Sequence, residues 1–151
     1  MSNDYVPSPT DWVRTQVEAI EASGTTEAAS IQGRQVVLLT MTGARTGATR
    51  KVPLMRVEHD GVYAAVGSRG GAPTDPQWVR NLDAEPHLTL LDGTLRSDRV
   101  ARRISGDEYA TWWSRAVDAF PPYADYVRTA SAAGRTIPLF LLEEGPGDTA
   151  P

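Results

Sequence analysis

The chain contains no cysteine in 151 residues, which removes disulfides, thiolate metal sites and a thiol nucleophile together. It has only two histidines, His59 beside an Asp-Gly turn and His87 after a proline, so no H-x-x-x-H pair can form. The nearest approach to a nucleophile elbow, Gly67-Ser68-Arg69-Gly70, is not G-x-S-x-G. Neither a serine hydrolase nor a zinc enzyme is expected, and no metal site. No G-x-G-x-x-G opens a helix after a strand, which excludes a Rossmann domain. No apolar stretch approaches a membrane span, and Met1 to Thr10 lacks the cationic start and apolar run of a leader. A cytoplasmic protein without a transmembrane segment is therefore expected. Lysine is almost missing: of 15 cationic side chains, Lys51 is the one lysine and the other fourteen are arginine. With a net charge of -4, binding to nucleic acid is not expected.

Composition is otherwise ordinary, 40% hydrophobic and 23% charged, and the length suits one folded domain. Trp12, Val13, Val17 and Ile20 recur at helical spacing, with Thr10 or Asp11 as N-cap and Gly24 as C-cap. Its polar face is more acidic than basic, which gives little support to peripheral membrane contact and points to packing on its own domain or on a second copy. Strands are expected over Gln35 to Met41, Lys51 to Glu58, Val62 to Val66, His87 to Leu91 and Thr94 to Ser105, with tight turns at Asp60-Gly61 and Asp92-Gly93. Arg96, Arg99 and Arg103 are expected on a solvated side. A short helix starts at Pro76, capped by Thr74 or Asp75. A longer helix follows Gly106 and carries the adjacent Trp112 and Trp113, which cannot both point inward. Another runs from Tyr123 to about Ala133, and a last strand spans Thr136 to Glu143, with Pro138 suggesting an edge or a bulge.

This order predicts a mainly β, α+β fold: an antiparallel barrel decorated by helices. Residues 1-33 read as an irregular start plus a short amphipathic helix, 34-144 as the barrel domain and 145-151 as a disordered tail.

The most informative stretch is Thr42-Gly43-Ala44-Arg45-Thr46-Gly47-Ala48-Thr49-Arg50-Lys51-Val52-Pro53-Leu54, a hairpin tip loaded with cations. Gly43 and Gly47 let a ligand approach the backbone, the threonines supply hydroxyls, and Arg45, Arg50 and Lys51 supply charge-assisted donors. No acidic residue occurs between Ala28 and Val57, so the positive field is local. That inventory suits a phosphate or carboxylate. Gly67 to Gly71 adds a glycine loop able to present backbone N-H groups.

Taken in order, T-x-G-x-[RK]-T-G-x-x-R-x-x-P-L, the loop Gly67-Ser68-Arg69-Gly70-Gly71, Pro76-Gln77-Trp78-Val79-Arg80-Asn81-Leu82 with Pro86, Phe120-Pro121-Pro122-Tyr123-Ala124-Asp125-Tyr126 and Arg135-Thr136-Ile137-Pro138-Leu139 resemble the deazaflavin-dependent nitroreductase family. Its members bind coenzyme F420. The resemblance covers roughly Arg34 to Glu143 and implies a split β-barrel, FMN-binding-like, and hydride transfer from reduced F420 to a small electron-poor acceptor such as a quinone, enone or nitro compound. It places the phosphate and lactyl-glutamate tail on Ala44, Arg45, Thr46, Gly47 and Arg50, with Pro53 and Val66 shaping the floor. Ser68, Arg69, Gly70 and Gly71 face the ring, and Gln77, Trp78 and Asn81 close the groove. Phe120, Tyr123 and Tyr126 line the substrate, with Tyr123 or Tyr126 as hydrogen-bond or proton donor. FMN in the same barrel, or a non-catalytic binding protein, are the rival readings, and a homodimer is left open. Ala44 stands where the family often has another cation, and Phe120 where it often has tyrosine.

Overall fold

The computed structural model describes residues 4–145. Seven strands form a single antiparallel sheet: β1 (Val36–Thr42), β2 (Thr49–Met55), β3 (Glu58–His59), β4 (Val62–Val66), β5 (His87–Asp92), β6 (Leu95–Arg103) and β7 (Leu139–Glu144), in the order β2-β1-β5-β6-β7-β4-β3. Four helices flank it: α1 (Asp11–Ser23), α2 (Gln77–Ala84), α3 (Gly106–Ala119) and α4 (Tyr123–Ala132). The sheet curls until β2 comes back against β4, which makes a half-barrel. The turns that set this register are the expected ones. Asp60 (φ 53) and Gly61 (φ 82) are both left-handed, as a two-residue hairpin turn requires.

Apolar side chains segregate into three clusters because the strands alternate. Val37, Leu39 and Met41 face the barrel interior with Leu82, Leu90 and Phe140. Val36 and Leu38, on the other face of β1, meet Val17 and Ile20 of α1. Met55, Val66, Leu139 and Leu141 pack under Trp112, Phe120 and Tyr123 of α3 and α4. Fully burying residues such as Val17 and Ile20 is worth about 1.5–3 kcal/mol each, so α1 is held to the sheet by its own apolar stripe. Of the tryptophan pair, Trp112 turns inward and Trp113 is half-buried, as adjacency demands.

Four expectations need correction. The strand expected over Lys51 to Glu58 is broken at Arg56-Val57, where the chain changes partners: Arg56 donates its N-H to Gln35 while the Val57 carbonyl accepts from Ala64. Pro138 precedes β7, a strand paired on both sides, and its carbonyl accepts from Gly67 at 2.9 Å, so it is neither an edge nor a bulge. Neither Thr74 nor Asp75 caps α2; Pro76 takes that position and Asp75 is drawn to Arg135. Met1 to Pro9 was expected to be irregular throughout, yet the described part pairs with β2: Thr49 donates to Asp4 and Val6 donates to Thr49, both at 2.9 Å. The expected tail lies outside the described residues after Gly145, whose N-H donates to Asp98.

Arg99 also departs from the solvated side assigned to it: it is only 8% exposed. Its guanidinium donates to the Gly61 carbonyl at 2.8 Å and the Leu142 carbonyl at 3.3 Å, and lies 5.1 Å from the Tyr63 ring centre. Tyr63 in turn donates to Asp92 at 2.6 Å, and Asp92 also accepts from Arg56. This buried arginine ties the β3–β4 turn to β7. Replacing Arg99 with alanine is expected to lower stability by about 1.5–3 kcal/mol, the worth of hydrogen bonds to a charged group. Urea denaturation reads this directly, and a midpoint equal to that of the unmodified chain would contradict the assignment.

Candidate functional site

The β1–β2 hairpin closes tightly: the Gly43 N-H reaches the Ala48 carbonyl at 2.7 Å, the Gly47 N-H reaches the Gly43 carbonyl at 3.0 Å, and the Thr46 hydroxyl accepts from Ala48. A Cβ on Gly43 would lie 3.2 Å from the Ala48 carbonyl oxygen, so the bare backbone is part of the turn. Ala44, Arg45 and Thr46 ride exposed on the tip, while Gly47 and Arg50 are partly covered.

The five cations of the acid-free stretch have separate fates. Lys51 pairs with Glu21 of α1. Arg56 is held by Asp92 at 3.0 Å, and Arg34 donates to the Ala119 carbonyl. Arg45 and Arg50 form no ion pair among the described residues, and both sit on this hairpin. Arg50 is opposite Met41 in the strand register, so it shares the barrel-interior face with Val52 and Leu54 and stands at its open end.

Pro53 is not on that face. It pairs with Leu38, is fully buried, and shares its side of β2 with Lys51, toward α1. Val66 and Trp78 are likewise buried: Val66 packs in the cluster with Leu139, and the Trp78 ring lies 5.9 Å from the Phe140 ring. They support the site's walls from beneath.

After β4 the chain enters the glycine loop. Ser68 is right-handed (φ -72, ψ -41) and is followed by three left-handed residues, Arg69 (φ 48), Gly70 (φ 62) and Gly71 (φ 82). A right-to-left alternation turns successive N-H groups into one concavity, the backbone nest that receives anions and carbonyl oxygens. Among the described residues, the N-H groups of Ser68, Arg69 and Gly70 have no protein acceptor. A Cβ on Gly71 would stand 3.0 Å from the Tyr126 carbonyl oxygen, which places the loop directly on α4.

The hairpin and the loop belong to strands toward opposite ends of the sheet, and α2 joins them. Buried Asn81 accepts the Ala44 N-H at 2.9 Å and directs its amide at Met41 Sδ. Val79, two residues earlier, lies 3.0 Å from where a Gly67 Cβ would stand. Gln77 is exposed at the start of the helix. A continuous rim therefore runs from Arg45 and Arg50 over α2 to Ser68–Gly71 and on to Tyr126.

Beyond Gly71 the rim becomes aromatic. Phe120 and Tyr123 meet edge to face at 4.9 Å, Tyr123 and Tyr126 at 6.1 Å, and Tyr109 stacks parallel to Trp113 at 6.1 Å. Tyr123 is buried, and burial, with Tyr126 adding to it, holds its hydroxyl protonated well above the ordinary tyrosine range. Tyr126 is half-buried. Of the predicted residues, the structure thus joins Ala44 to Arg50, Ser68 to Gly71, Gln77, Asn81 and the aromatic corner; Pro53 falls elsewhere.

Sequence reading missed Arg135. Its side chain is 8% exposed and donates to the carbonyls of Gly67 (2.9 Å), Ser68 (2.5 Å) and Ala72 (2.7 Å) and to Asp75 (2.7 Å). Only its place in the segment Arg135-Thr136-Ile137-Pro138-Leu139, part of the family resemblance, marked it beforehand.

Comparison with known proteins bears on the family and the fold. The family model of the F420H(2)-dependent quinone reductases matches residues 12–144. A protein of Mycobacterium tuberculosis that carries the name of F420H(2)-dependent quinone reductase is 33% identical over 108 residues, 70% of this chain and 71% of that one. Among solved structures, one described as a domain-swapped dimer is 47% identical with a TM-score of 0.70, covering 90% of this chain and all of the other. Another, an F420-H2 dependent reductase, is 45% identical with a TM-score of 0.67, covering 76% of this chain and 99% of its own. The expected split β-barrel and the expected deazaflavin enzyme are both borne out. The chain belongs to the F420H(2)-dependent quinone reductase family.

Proposed function

We propose that the rim from the hairpin tip over α2 to α4 holds coenzyme F420 and that a quinone is reduced beside it. The observation that carries the reading is the pair Arg45 and Arg50, two guanidinium groups without a carboxylate partner among the described residues, on one hairpin of a chain whose net charge is -4. Such charges are most favourably answered by an acidic ligand. The donor set fits the coenzyme's tail: Arg45, Thr46 and Arg50 hold its phosphate and carboxylates, and the main chain of Ala44 to Gly47 follows it closely. Ser68, Arg69 and Gly70 offer N-H groups to the ring's polar edge, Gly71 seats the loop on α4 beneath it, and Gln77 closes the groove. Asn81 is already committed to Ala44, so its part is to fix the tip.

When bound, the reduced deazaflavin supplies a hydride from C5 to an electron-poor acceptor. The protein's share is orientation and electrostatics. Tyr126, backed by buried Phe120, forms the wall against which a flat quinone lies, and its hydroxyl donates a hydrogen bond to the acceptor oxygen as negative charge develops there. Tyr123, held neutral by burial, acts as a hydrogen-bonding and packing group and not as a phenolate. A homodimer is the assembly we propose, supported by the domain-swapped dimer among the similar structures.

Mixing the purified protein with F420 is expected to give saturable fluorescence quenching, with none from FMN, and menadione is expected to drive loss of the reduced coenzyme followed at 420 nm. Binding without turnover would leave a binding protein and overturn the reductase assignment. Arg50→Ala should weaken F420 binding by about 1.5–3 kcal/mol, the range for hydrogen bonds to charged groups. Lys51→Ala, whose ammonium is committed to Glu21, should leave the dissociation constant within about twofold, well under the 1.4 kcal/mol of a tenfold change. Equal effects of the two would remove Arg50 from the site.

Tyr123 gives a pH prediction. Below the ordinary tyrosine value of 10 the folded and unfolded chains both keep its proton, so this group leaves stability unchanged. Above that value the unfolded chain releases the proton while the buried hydroxyl retains it, so stability falls as pH rises. Denaturation midpoints measured from pH 8 to 11 are expected to drop at the alkaline end, and Tyr123→Phe to reduce that drop. An identical alkaline slope in the variant would show that Tyr123 is not buried as described.

A further inference from the structure

We propose that Arg135 is a positioning residue for coenzyme binding: its guanidinium folds the Gly67–Asp75 loop from the inside so that backbone N-H groups are presented on the outside. The inference rests on the F420 reading above and adds a residue that is not itself among the proposed ligand contacts.

In a trans peptide the carbonyl of one residue and the N-H of the next point in opposite directions. Arg135 takes the carbonyls of Gly67 and Ser68 at 2.9 and 2.5 Å. The N-H groups of Ser68 and Arg69 must then face away from it. Those are two of the three nest donors without a protein acceptor among the described residues. The third, on Gly70, is set by the Arg69 carbonyl, which is taken up by Ala72 N-H at 3.1 Å. The remaining donors of Arg135 close the far end of the loop on the Ala72 carbonyl and Asp75, both at 2.7 Å.

A clamp is needed because the loop is intrinsically unfavourable. Arg69 has φ 48, a left-handed conformation that is unfavourable for a residue with a side chain. Two glycines follow, and glycine loses more freedom on ordering than any other residue. Left to itself, such a segment would exchange between conformations, and the nest would exist only part of the time. Four hydrogen bonds from one rigid, planar group that keeps its charge counter that tendency. The guanidinium is itself nearly excluded from water, and the Asp75 carboxylate beside it offsets the charge. A lysine could satisfy the charge but not the fork.

Arg135→Lys tests this, since it keeps the cation. The readouts are the F420 dissociation constant from fluorescence quenching and, without coenzyme, amide hydrogen exchange of peptides covering 67–75 against peptides from β5 and β6. The expected result is at least a tenfold weaker affinity with exchange in 67–75 at least tenfold faster and the β5–β6 peptides unchanged. Affinity within twofold of the unmodified protein would overturn the proposal, and so would weaker affinity with unaltered exchange in the loop, which would assign Arg135 a purely electrostatic pull. Should the lysine variant unfold throughout, Asp75→Asn must still loosen 67–75 and weaken F420 at least threefold; no change in either sinks the clamp. If Arg50→Ala fails to weaken F420 as well, the site reading itself is wrong; if Arg50→Ala weakens it and the clamp variants do not, only the positioning role falls.

Discussion

Uncompensated positive charge on one hairpin is the constraint that organises this molecule. Every other cation of the acid-free stretch is answered by a group of the protein: Lys51 by Glu21, Arg56 by Asp92, Arg34 by a carbonyl. Arg45 and Arg50 are not so answered among the described residues. Charge left in this way costs little where water reaches it, and it becomes an asset when an anionic ligand displaces that water. The family to which the chain belongs is that of the F420H(2)-dependent quinone reductases.

The curl of the sheet makes that charge useful. Hairpin β1–β2 lies at one end of the strand order and β4 near the other, so a flat sheet would leave the cationic tip and the glycine loop far apart. Closing the half-barrel brings β2 against β4, and α2 then spans the mouth with Asn81 fastened to Ala44 and Val79 against Gly67. Gly43, Gly67 and Gly71 occur where a Cβ would strike a neighbour 2.8–3.2 Å away. The missing side chain lets the hairpin close at Gly43, and lets the loop reach α2 at Gly67 and α4 at Gly71. Gly71 has the further demand of a left-handed backbone, which fits it to lie on Tyr126.

Local chemistry was readable from the sequence, and long-range partnership was not. The run from Val36 to Thr40, the Asp60-Gly61 turn and the glycine at the end of α1 reveal their structure within a few residues, because alternation and left-handed turns are properties of neighbours. Arg99 has the same pattern as Arg96 and Arg103, yet its partners Gly61 and Leu142 lie some forty positions away in either direction. Arg135 is separated by more than sixty from each carbonyl it holds. Nothing in periodicity reveals such a reach; only the topology that sets β7 beside β4 does. Pro53 was misplaced for a related reason: it belongs to the motif by spacing, but the two-residue period of a strand turns it to the face opposite Arg50.

The most direct measurement compares intact F420 with the same deazaflavin lacking the phosphate and lactyl-glutamate tail, each titrated against the protein at low and at high salt. If the hairpin grips the tail, the shortened compound binds weaker by about tenfold or more, at least 1.4 kcal/mol, and added salt weakens only the intact coenzyme. Equal affinities for the two, unaffected by salt, would contradict the account.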